Sequence, residues 1–208
     1  MKKKDIRKLY YDYVIEKKKA PVSLKKFLKF SSMTKSDFKE KYDHLSEVEA
    51  DIWKHSLRDA LCSLRESAEF AKYSCKDKGM AMMYTWFEFM DINKPFFKKC
   101  SFMQGPLPMC HLMSFKKETK KFMKCLIKQG FSTSEFKDRS IPAKHFANFF
   151  WSLFLVNLKG WNKKKSKKKN EEWMDAMIEK SMVLFFDSLA PNLFDAFIDM
   201  LKHNRSKK

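Results

Sequence analysis

Apolar residues recur at the spacing of a single helix face along almost the whole chain. In the first segment Ile6, Tyr10, Tyr13 and Val14 follow the i, i+4, i+7, i+8 pattern of an amphipathic helix. The 208-residue chain has only 4 Gly and 6 Pro, and no run of alternating Val, Ile and Thr is bounded by turn residues. This pattern predicts an all-α protein and disfavours sandwiches, barrels and Rossmann sheets.

Capping and turn residues divide this pattern into short helices near the N-terminus and longer helices behind them. After a first helix at 3–17, Ser23 and Thr34 are suitable N-caps for short helices at 24–30 and 35–42. Ser46 and Glu49 have the spacing of a capping box at the start of a long helix. Further helices are expected at 46–78 (with a turn at 74–78 as the alternative), 80–99, 112–129, 142–161, 170–189 and 191–203, with breaks at Gly79, Pro106, Pro108, Gly130 and Pro142.

The spacing of these helices predicts two domains. The three short helices form a small head at 1–45, and the longer ones form a larger helical body at 46–208.

The charge balance is the second strong feature of the sequence. The chain has 44 Lys and Arg against 25 Asp and Glu, a formal net charge of +19 at pH 7. Such a field attracts phosphates, so a polyanion is the natural partner. An A- and T-rich genome also encodes many lysines regardless of function, so composition bias stays an alternative. Six lysines around Ser166, at 163–169, predict a solvated loop because like charges repel.

Several classes of protein are not indicated. The sequence contains five cysteines at irregular spacings, Cys62, Cys75, Cys100, Cys110 and Cys125. They form no CxxC pair, so neither a disulfide framework nor a zinc site is expected. The basic N-terminus leads into a charged helix and does not read as a signal peptide, and the apolar stretch at 146–156 is too short to span a bilayer.

The five histidines are scattered without catalytic or metal-binding spacing. A pair formed by His55 and Asp59 on one helix face is interpreted as a local hydrogen bond. We therefore expect a cytoplasmic protein without cofactor, metal ion or enzymatic activity.

The N-terminal helices have the order of a helix-turn-helix. A supporting helix comes first, two short helices joined by a tight connection follow, and the second short helix of such a motif enters the major groove of DNA. Lysines of both short helices and of the arm at 1–4 are in position to meet phosphates. The competing interpretation is that any amphipathic helix in a lysine-rich chain has a basic outer face. The residues expected to contact DNA are Lys25, Lys26, Thr34, Lys35, Ser36, Lys39 and Lys41.

The segment at 22–52, VSLKKFLKFSSMTKSDFKEKYDHLSEVEADI, resembles the reading head of TetR-family transcriptional regulators without a gap. Met33 and Thr34 match the Val-Ser of that family's turn. Phe38 and Tyr42 match the Leu and the closing Phe of its recognition helix. The stretches DYVIEKKKAPVSLKKF and DFKEKY further resemble a divergent branch of the family found in Bacteroidetes.

The head departs from the family pattern at four positions. Ser32 occupies the position of the usual turn Gly. Lys39 occupies the position of a Tyr that contacts a DNA phosphate, and a lysine can also make that contact. Asp37 and Glu40 place carboxylates on a helix that should approach DNA. A carboxylate near phosphates is repelled unless it accepts a hydrogen bond from a base such as cytosine.

The resemblance implies a homodimer. In TetR-like proteins the last two long helices pair with their twofold mates, which sets two reading heads about one DNA turn, roughly 34 Å, apart. The alternative is that the apolar side chains of these helices fill the core of one chain. The residues expected at the dimer interface are Phe149, Trp151, Phe154, Met177, Ile178 and Phe185.

The middle helices are rich in Met and aromatic residues, which repack easily around irregular ligands. In TetR-like proteins the corresponding region binds the inducer, so the resemblance implies a pocket for a hydrophobic or acyl-like molecule. Aromatic residues at helical spacing are also what a simple core requires. The expected pocket residues are Met83, Trp86, Phe87, Met90, Phe122 and Phe150.

These features together predict a TetR-type repressor, either ligand-responsive or constitutive, that binds a palindromic operator in double-stranded DNA as a homodimer. In the ligand-responsive case a hydrophobic ligand releases it. Replacing Lys35 and Lys39 by Glu should abolish operator binding without loss of helicity. Two alternatives stay open. One is a lipid- or partner-binding protein of the same fold that has lost sequence-specific DNA binding, and the other is a nonspecific binder of polyanions or membrane surfaces.

Overall fold

The computed structural model describes residues 1–100, 112–137, 142–163 and 167–190. Those residues form ten helices and no strand, which confirms the predicted all-α fold. Within the same ranges, no helix combines the length and the hydrophobicity needed to cross a membrane. The helices are α1 (Lys3–Lys17), α2 (Leu24–Ser31), α3 (Lys35–Lys39), α4 (Leu45–Glu66), α5 (Ala68–Lys72), α6 (Cys75–Ile92), α7 (Lys94–Phe97), α8 (Met113–Ser132), α9 (Ala143–Lys163) and α10 (Lys167–Asp187).

The described residues fall into two compact units. Unit 1 contains residues 1–67 and the described part of 84–119. Unit 2 contains residues 68–83 and the described part of 120–208. The helix-turn-helix segment and the whole of α4 therefore belong to one unit, in which α1 packs against both α2 and α4.

The core of unit 1 is centred on Trp53 of α4, which is fully buried. Its ring lies 4.9 Å from the Phe97 ring, 5.8 Å from the Phe115 ring and 5.9 Å from the Trp86 ring. The Trp86 Nε1–H donates to Ser56 Oγ at 3.0 Å, so the polar edge of that indole has a partner inside the core. This packing holds α4 against the parts of α6, α7 and α8 that belong to unit 1.

The core of unit 2 includes the contact between α9 and α10. Phe150 and Phe185 meet edge to face there, with ring centroids 5.3 Å apart. Asn157 Nδ2 donates to Ser181 Oγ at 2.8 Å, which pairs two buried polar side chains between the same helices. The apolar side of α9 therefore packs on α10 of the same chain.

The start of α4 differs from the sequence prediction. His44, not Ser46, is the N-cap residue, and α4 begins at Leu45. The Glu49 side chain is buried and accepts a hydrogen bond from Tyr10 Oη of α1 at 2.7 Å. The capping-box prediction is wrong because a contact with α1 takes the carboxylate that a local cap would use.

Two glycines that were expected to end helices lie inside them. Gly79 is within α6 and Gly130 is within α8. Phe136 covers Gly130 so closely that a Cβ atom there would lie 2.0 Å from its ring. The predicted breaks are wrong because these glycines allow close packing. The chain breaks instead at Ser67, after α4, and at Asn93, where a following proline cannot donate the next helical hydrogen bond.

The lysine run is more helical than predicted. α9 continues to Lys163 and α10 begins at Lys167, so the predicted loop at 163–169 is wrong at both ends. Three lysine positions thus extend α10, where helical backbone bonding outweighs like-charge repulsion. Outside the described residues lie the predicted breaks at Pro106 and Pro108, the loop positions 164–166 and the predicted helix at 191–203.

Candidate nucleic-acid interface

Local hydrogen bonds fix both ends of the connection between α2 and α3. Ser32 ends α2 with a left-handed backbone (φ 51°), the conformation that favours glycine at this point of a helix. Thr34 begins α3, because its Oγ1 accepts the Asp37 N–H at 3.1 Å. Ser23 begins α2 by accepting the Lys26 N–H at 3.4 Å. These contacts confirm the two N-caps predicted from the sequence.

An aromatic cluster holds the two short helices against α1. Phe27 of α2 and Phe38 of α3 are fully buried, and their rings lie 6.1 Å apart. Tyr10 and Tyr13 of α1 lie 5.7 Å and 6.2 Å from Phe27. Each buried Phe ring contributes roughly 2 to 3 kcal/mol to the free energy of unfolding. The buried sides of α2 and α3 therefore fix which of their side chains face solvent.

A single carboxylate joins the end of the helix-turn-helix to α1 and α4. α3 ends at Lys39, three residues earlier than predicted. The chain turns after it, and Tyr42 Oη donates to Asp51 Oδ2 at 2.7 Å. Arg7 Nη1 donates to the same oxygen at 2.6 Å. His55 Nδ1 lies 3.3 Å from Asp51 Oδ1 and 2.8 Å from the Asp51 carbonyl oxygen. The expected pair of His55 with Asp59 is therefore replaced by contacts with Asp51.

These contacts shift two pKa values in opposite directions. Burial raises the pKa of Asp51, but the hydrogen bonds from Tyr42 and Arg7 and the charges of His55 and Arg7 outweigh it, so the net pKa lies below its ordinary value of 3.8. Burial raises the pKa of Tyr42, and the hydrogen bond to Asp51 raises it further. At neutral pH Asp51 is ionised and Tyr42 keeps its proton.

The seven residues predicted to contact DNA lie on α2, on α3 and in the turns beside them, and all except the half-buried Lys41 are exposed. Two of their lysine side chains already have a partner. Lys39 Nζ donates to the Asp43 carbonyl oxygen at 2.7 Å, and Lys41 Nζ pairs with Glu40 Oε1 at 2.6 Å. A phosphate contact by either lysine would have to replace an existing bond.

Three cations of this surface carry no such contact. Lys25, Lys26 and Lys35 are exposed, and the described residues offer them no side-chain hydrogen bond or ion pair. Ser36 is exposed beside Lys35, whereas the Thr34 hydroxyl is used in capping α3. Among the seven predicted residues, these three lysines are therefore the cations that can meet a polyanion directly.

Two further lysines lie on or next to these elements. Lys29 is exposed on α2, four residues after Lys25, and this spacing could have placed it there from the sequence. In the predicted basic arm at 1–4, Lys3 Nζ lies 4.6 Å from the centroid of the Tyr42 ring. The contact between the arm and the residues after α3 has no local sequence signal, because its two partners are far apart in the chain.

The six residues predicted to line a ligand pocket are divided between the two units. Five are buried and Phe122 is half-buried. Trp86, for example, lies 5.1 Å from Phe115 within the core of unit 1, and Phe150 packs on Phe185 in unit 2. Unit 1 contains Trp86, Phe87 and Met90, whereas unit 2 contains Met83, Phe122 and Phe150.

Unit 1 has a surface cleft elsewhere. It measures about 170 Å³, and none of the six predicted pocket residues lines it. The lining comes from α1, α4, α6 and α7, helices that no local spacing connects, and sequence reasoning missed it for that reason. Among the lining residues are Arg7, Lys8, Tyr11, His55, Phe89 and Asn93.

The residues predicted for the dimer interface have two different positions. Phe149 is 37% exposed and Met177 is half-buried. The other four are packed inside unit 2, where α9 and α10 of one chain cover each other. This placement corrects the expectation that all six lie on a contact surface. The four buried residues are Trp151, Phe154, Ile178 and Phe185.

Comparisons with known proteins support this architecture. The family described as "Tetracyclin repressor-like, C-terminal domain" matches residues 78–204. The fold is similar to the 2.07 Å crystal structure of a protein assigned to the TetR family of transcriptional regulators, from Syntrophomonas wolfei str. Goettingen. That similarity has a TM-score of 0.65 at 15% sequence identity and covers 88% of this chain and 94% of the other. No curated protein matches the chain in sequence.

The structural similarity shows the fold, and the domain match spans more than half of the chain and shows the family. TetR-family proteins are regulators and not enzymes, which confirms the prediction that the chain has no enzymatic activity. The described residues contain no group of three or more His, Cys, Asp or Glu side chains that could hold a metal ion. The chain belongs to the TetR family of transcriptional regulators.

Proposed function

We propose that the chain is a cytoplasmic DNA-binding repressor, with a reading head at 1–45 and a helical body at 46–208. One observation carries the proposal. Lys25, Lys26 and Lys35 are exposed on the outer sides of α2 and α3, while buried rings fix the inner sides of the same helices. Because the helices are already fixed, only the lysine side chains lose conformational freedom when they meet phosphates.

The proposed orientation follows from the position of each residue along α3. Recognition helices contact bases mainly with their N-terminal residues, and Lys35 and Ser36 occupy the first turn of α3. Lys25 and Lys26 of α2 would then bind phosphates and set the register. Lys39 and Lys41 could join them only after giving up their contacts within the chain.

The palindromic operator in this proposal requires a homodimer, and four exposed apolar residues support one. Phe149 and Val156 lie seven residues apart on α9 and are 37% and 52% exposed. Val183 and Leu184 of α10 are 38% and 55% exposed. A twofold contact through these side chains would bury apolar surface that one chain leaves in water.

The decisive experiment is a fluorescence anisotropy titration of the purified protein. One duplex carries the DNA flanking the protein's own gene, and the other is a shuffled duplex of equal composition, each at two salt concentrations. A preference of about a thousandfold or more that persists at higher salt is expected of a sequence-reading regulator. Equal affinities that fall together with salt would refute the proposal and reduce the binding to charge alone.

A pair of matched variants tests the surface. Lys25→Glu with Lys35→Glu should abolish specific binding and leave the helical content unchanged. Lys117→Glu with Lys121→Glu changes two exposed lysines of α8, so it alters the net charge equally but should keep specificity. If both double variants lose the same affinity for the preferred duplex, the lysines of the head have no special role in DNA binding.

The dimer is tested by light scattering. Val156→Glu with Leu184→Glu should convert a dimer into a monomer, because each change places a charge in the proposed contact. Ile92→Glu, at a position that is 73% exposed, should leave the mass unchanged. A monomeric wild-type protein at micromolar concentration would contradict the dimer.

Release by a hydrophobic ligand is the last part of the proposal. The flexible side chains of Met83 and Met90 support it, since thioethers repack easily around a guest molecule. Mass spectrometry of organic extracts of the purified protein should reveal a bound apolar molecule whose addition weakens operator binding. An abundant bound molecule together with no DNA sequence preference would favour a lipid- or partner-binding protein instead.

A further inference from the structure

The cleft of unit 1 has an aromatic wall. Tyr11 of α1 stacks on Phe96 of α7, with centroids 4.7 Å apart and ring planes inclined by 23°. Phe89 and Phe97 continue this wall and lie 6.1 Å apart. Ile52 of α4 also lines the cleft. A flat apolar ring would therefore find a surface of matching shape and character.

The rim of the cleft is polar and holds two cations and one carboxylate. Lys8 is exposed, and the described residues offer it no side-chain partner, whereas Arg7 lines the same cleft while paired with Asp51. Asp59 is the acidic residue of the lining. An anionic ligand group would find a cation at Lys8 that no other described residue uses.

We propose that this cleft binds a small aromatic carboxylate, with its ring against the wall that includes Tyr11 and Phe89 and its carboxylate at Lys8. The volume of about 170 Å³ lies below the roughly 300 Å³ at which pockets for drug-sized ligands begin. The ligand is therefore an acid with one or two rings. This site is separate from the buried Met and aromatic residues considered above.

The cleft is connected to the reading head through Arg7. Arg7 lines the cleft and donates to the Asp51 oxygen that also accepts from Tyr42, the residue that anchors the chain after α3. A carboxylate held at Lys8 also meets the Arg7 guanidinium in the same lining, competes with Asp51 for it and so loosens the ion pair that orients the Asp51 oxygen bound by Tyr42. The ligand can shift the head only through such a difference in affinity between two states. This consequence rests on the proposed DNA-binding function of α3.

Isothermal titration calorimetry without DNA tests the site. The probes are benzoate and 2-naphthoate, and 2-naphthamide is the neutral compound of the same shape. At least one acid is expected to bind with a Kd at or below about 1 mM, and the amide at least tenfold more weakly than 2-naphthoate. Failure of both acids to bind below about 5 mM, or equal binding of acid and amide, would overturn the proposal.

A matched pair of lysine variants places the binding in the cleft. Lys8→Met should weaken acid binding at least tenfold, while Lys117→Met, an exposed position of α8 in the same unit, should leave it unchanged. Circular dichroism checks that both variants keep the wild-type helicity. Unchanged binding by Lys8→Met would show that the acid binds elsewhere.

The link to the head is measured separately. Saturating acid should weaken binding to the preferred duplex several-fold in wild type but not in Lys8→Met. If wild type shows no DNA sequence preference even without acid, the proposed function fails. The calorimetry still shows whether the acid binds in the cleft. If DNA binding is specific and bound acid leaves it unchanged, the connection through Arg7 is refuted.

Discussion

Arg7 and Asp51 are 44 positions apart in the sequence and meet in an ion pair of 2.6 Å. Their side chains are only 17% and 16% exposed, so the pair is largely shielded from water. The oxygen that accepts from Arg7 also accepts from Tyr42. One carboxylate therefore sets the relation between α1, α4 and the turn that follows α3.

Asp51→Asn should lower the free energy of unfolding by about 1 to 3 kcal/mol, because the half-buried guanidinium of Arg7 loses its charged partner. Urea denaturation followed by circular dichroism at neutral pH measures this change. Asp43→Asn removes an exposed carboxylate that makes no side-chain contact and should change the value by less than about 0.5 kcal/mol. Equal effects of the two variants would contradict the role of Asp51.

The same pair makes stability depend on pH. Folding lowers the Asp51 pKa below 3.8, so the unfolded chain takes up this proton more readily than the folded chain. The stabilisation is present above that ordinary value and is lost as the pH falls through the folded pKa. The difference in unfolding free energy between wild type and Asp51→Asn should therefore shrink from about pH 6 to about pH 3. A difference that stays constant over this range would show that the charge is not its source.

Tyr10→Phe should destabilise the fold by about 1 to 3 kcal/mol, since it removes a buried hydroxyl that donates to Glu49 and changes almost nothing in shape. Thermal unfolding is the readout. Tyr73→Phe makes the identical change at a position that is 42% exposed. It should leave the midpoint of thermal unfolding within about 1 °C of the wild-type value. A neutral Tyr10→Phe would mean that this contact between α1 and α4 contributes nothing.

Gly130→Ala should destabilise unit 2, although the same change inside an exposed helix usually stabilises by about 0.5 to 1 kcal/mol. The added Cβ would lie 2.0 Å from the Phe136 ring, so the expected cost is about 1 to 3 kcal/mol. A double-mutant cycle with Phe136→Ala measures the coupling. Gly130→Ala should lower the free energy of unfolding by less in the Phe136→Ala background than in wild type. Additive effects would show that the strain does not come from this contact.

The cysteines should differ in reactivity. Cys62 and Cys125 are exposed, whereas burial, followed by the hydrogen bond and charge of Glu135, raises the pKa of Cys75 to about 12. Burial also raises the pKa of the Cys100 thiol. Iodoacetamide at about pH 8 should label Cys62 and Cys125 before Cys75 and Cys100 in the folded protein, as read by peptide mass spectrometry. Labelling of Cys75 at the rate of Cys62 would contradict its burial, and denatured protein serves as the reference.

The helix caps show where a prediction from neighbouring residues succeeds and where it fails. Ser23 and Thr34 were predicted as N-caps and act as such, because the groups they satisfy lie three residues further along the chain. Ser46 and Glu49 show the same kind of spacing, yet Glu49 turns to Tyr10, 39 residues away. A local signal fails where a distant partner offers a buried, better shielded bond.

The helical class, the three N-terminal helices and the basic character of their outer side could be predicted from local signals, because periodicity, capping and charge act over a few neighbouring residues. Packing between distant segments was needed to show that Trp151 and Phe154 fill a core while Phe149 stays in contact with water. It also decided that a cleft opens beside Arg7. Whether an apolar side chain is buried depends on helices that come from elsewhere in the chain, and the spacing along one helix contains no information about them.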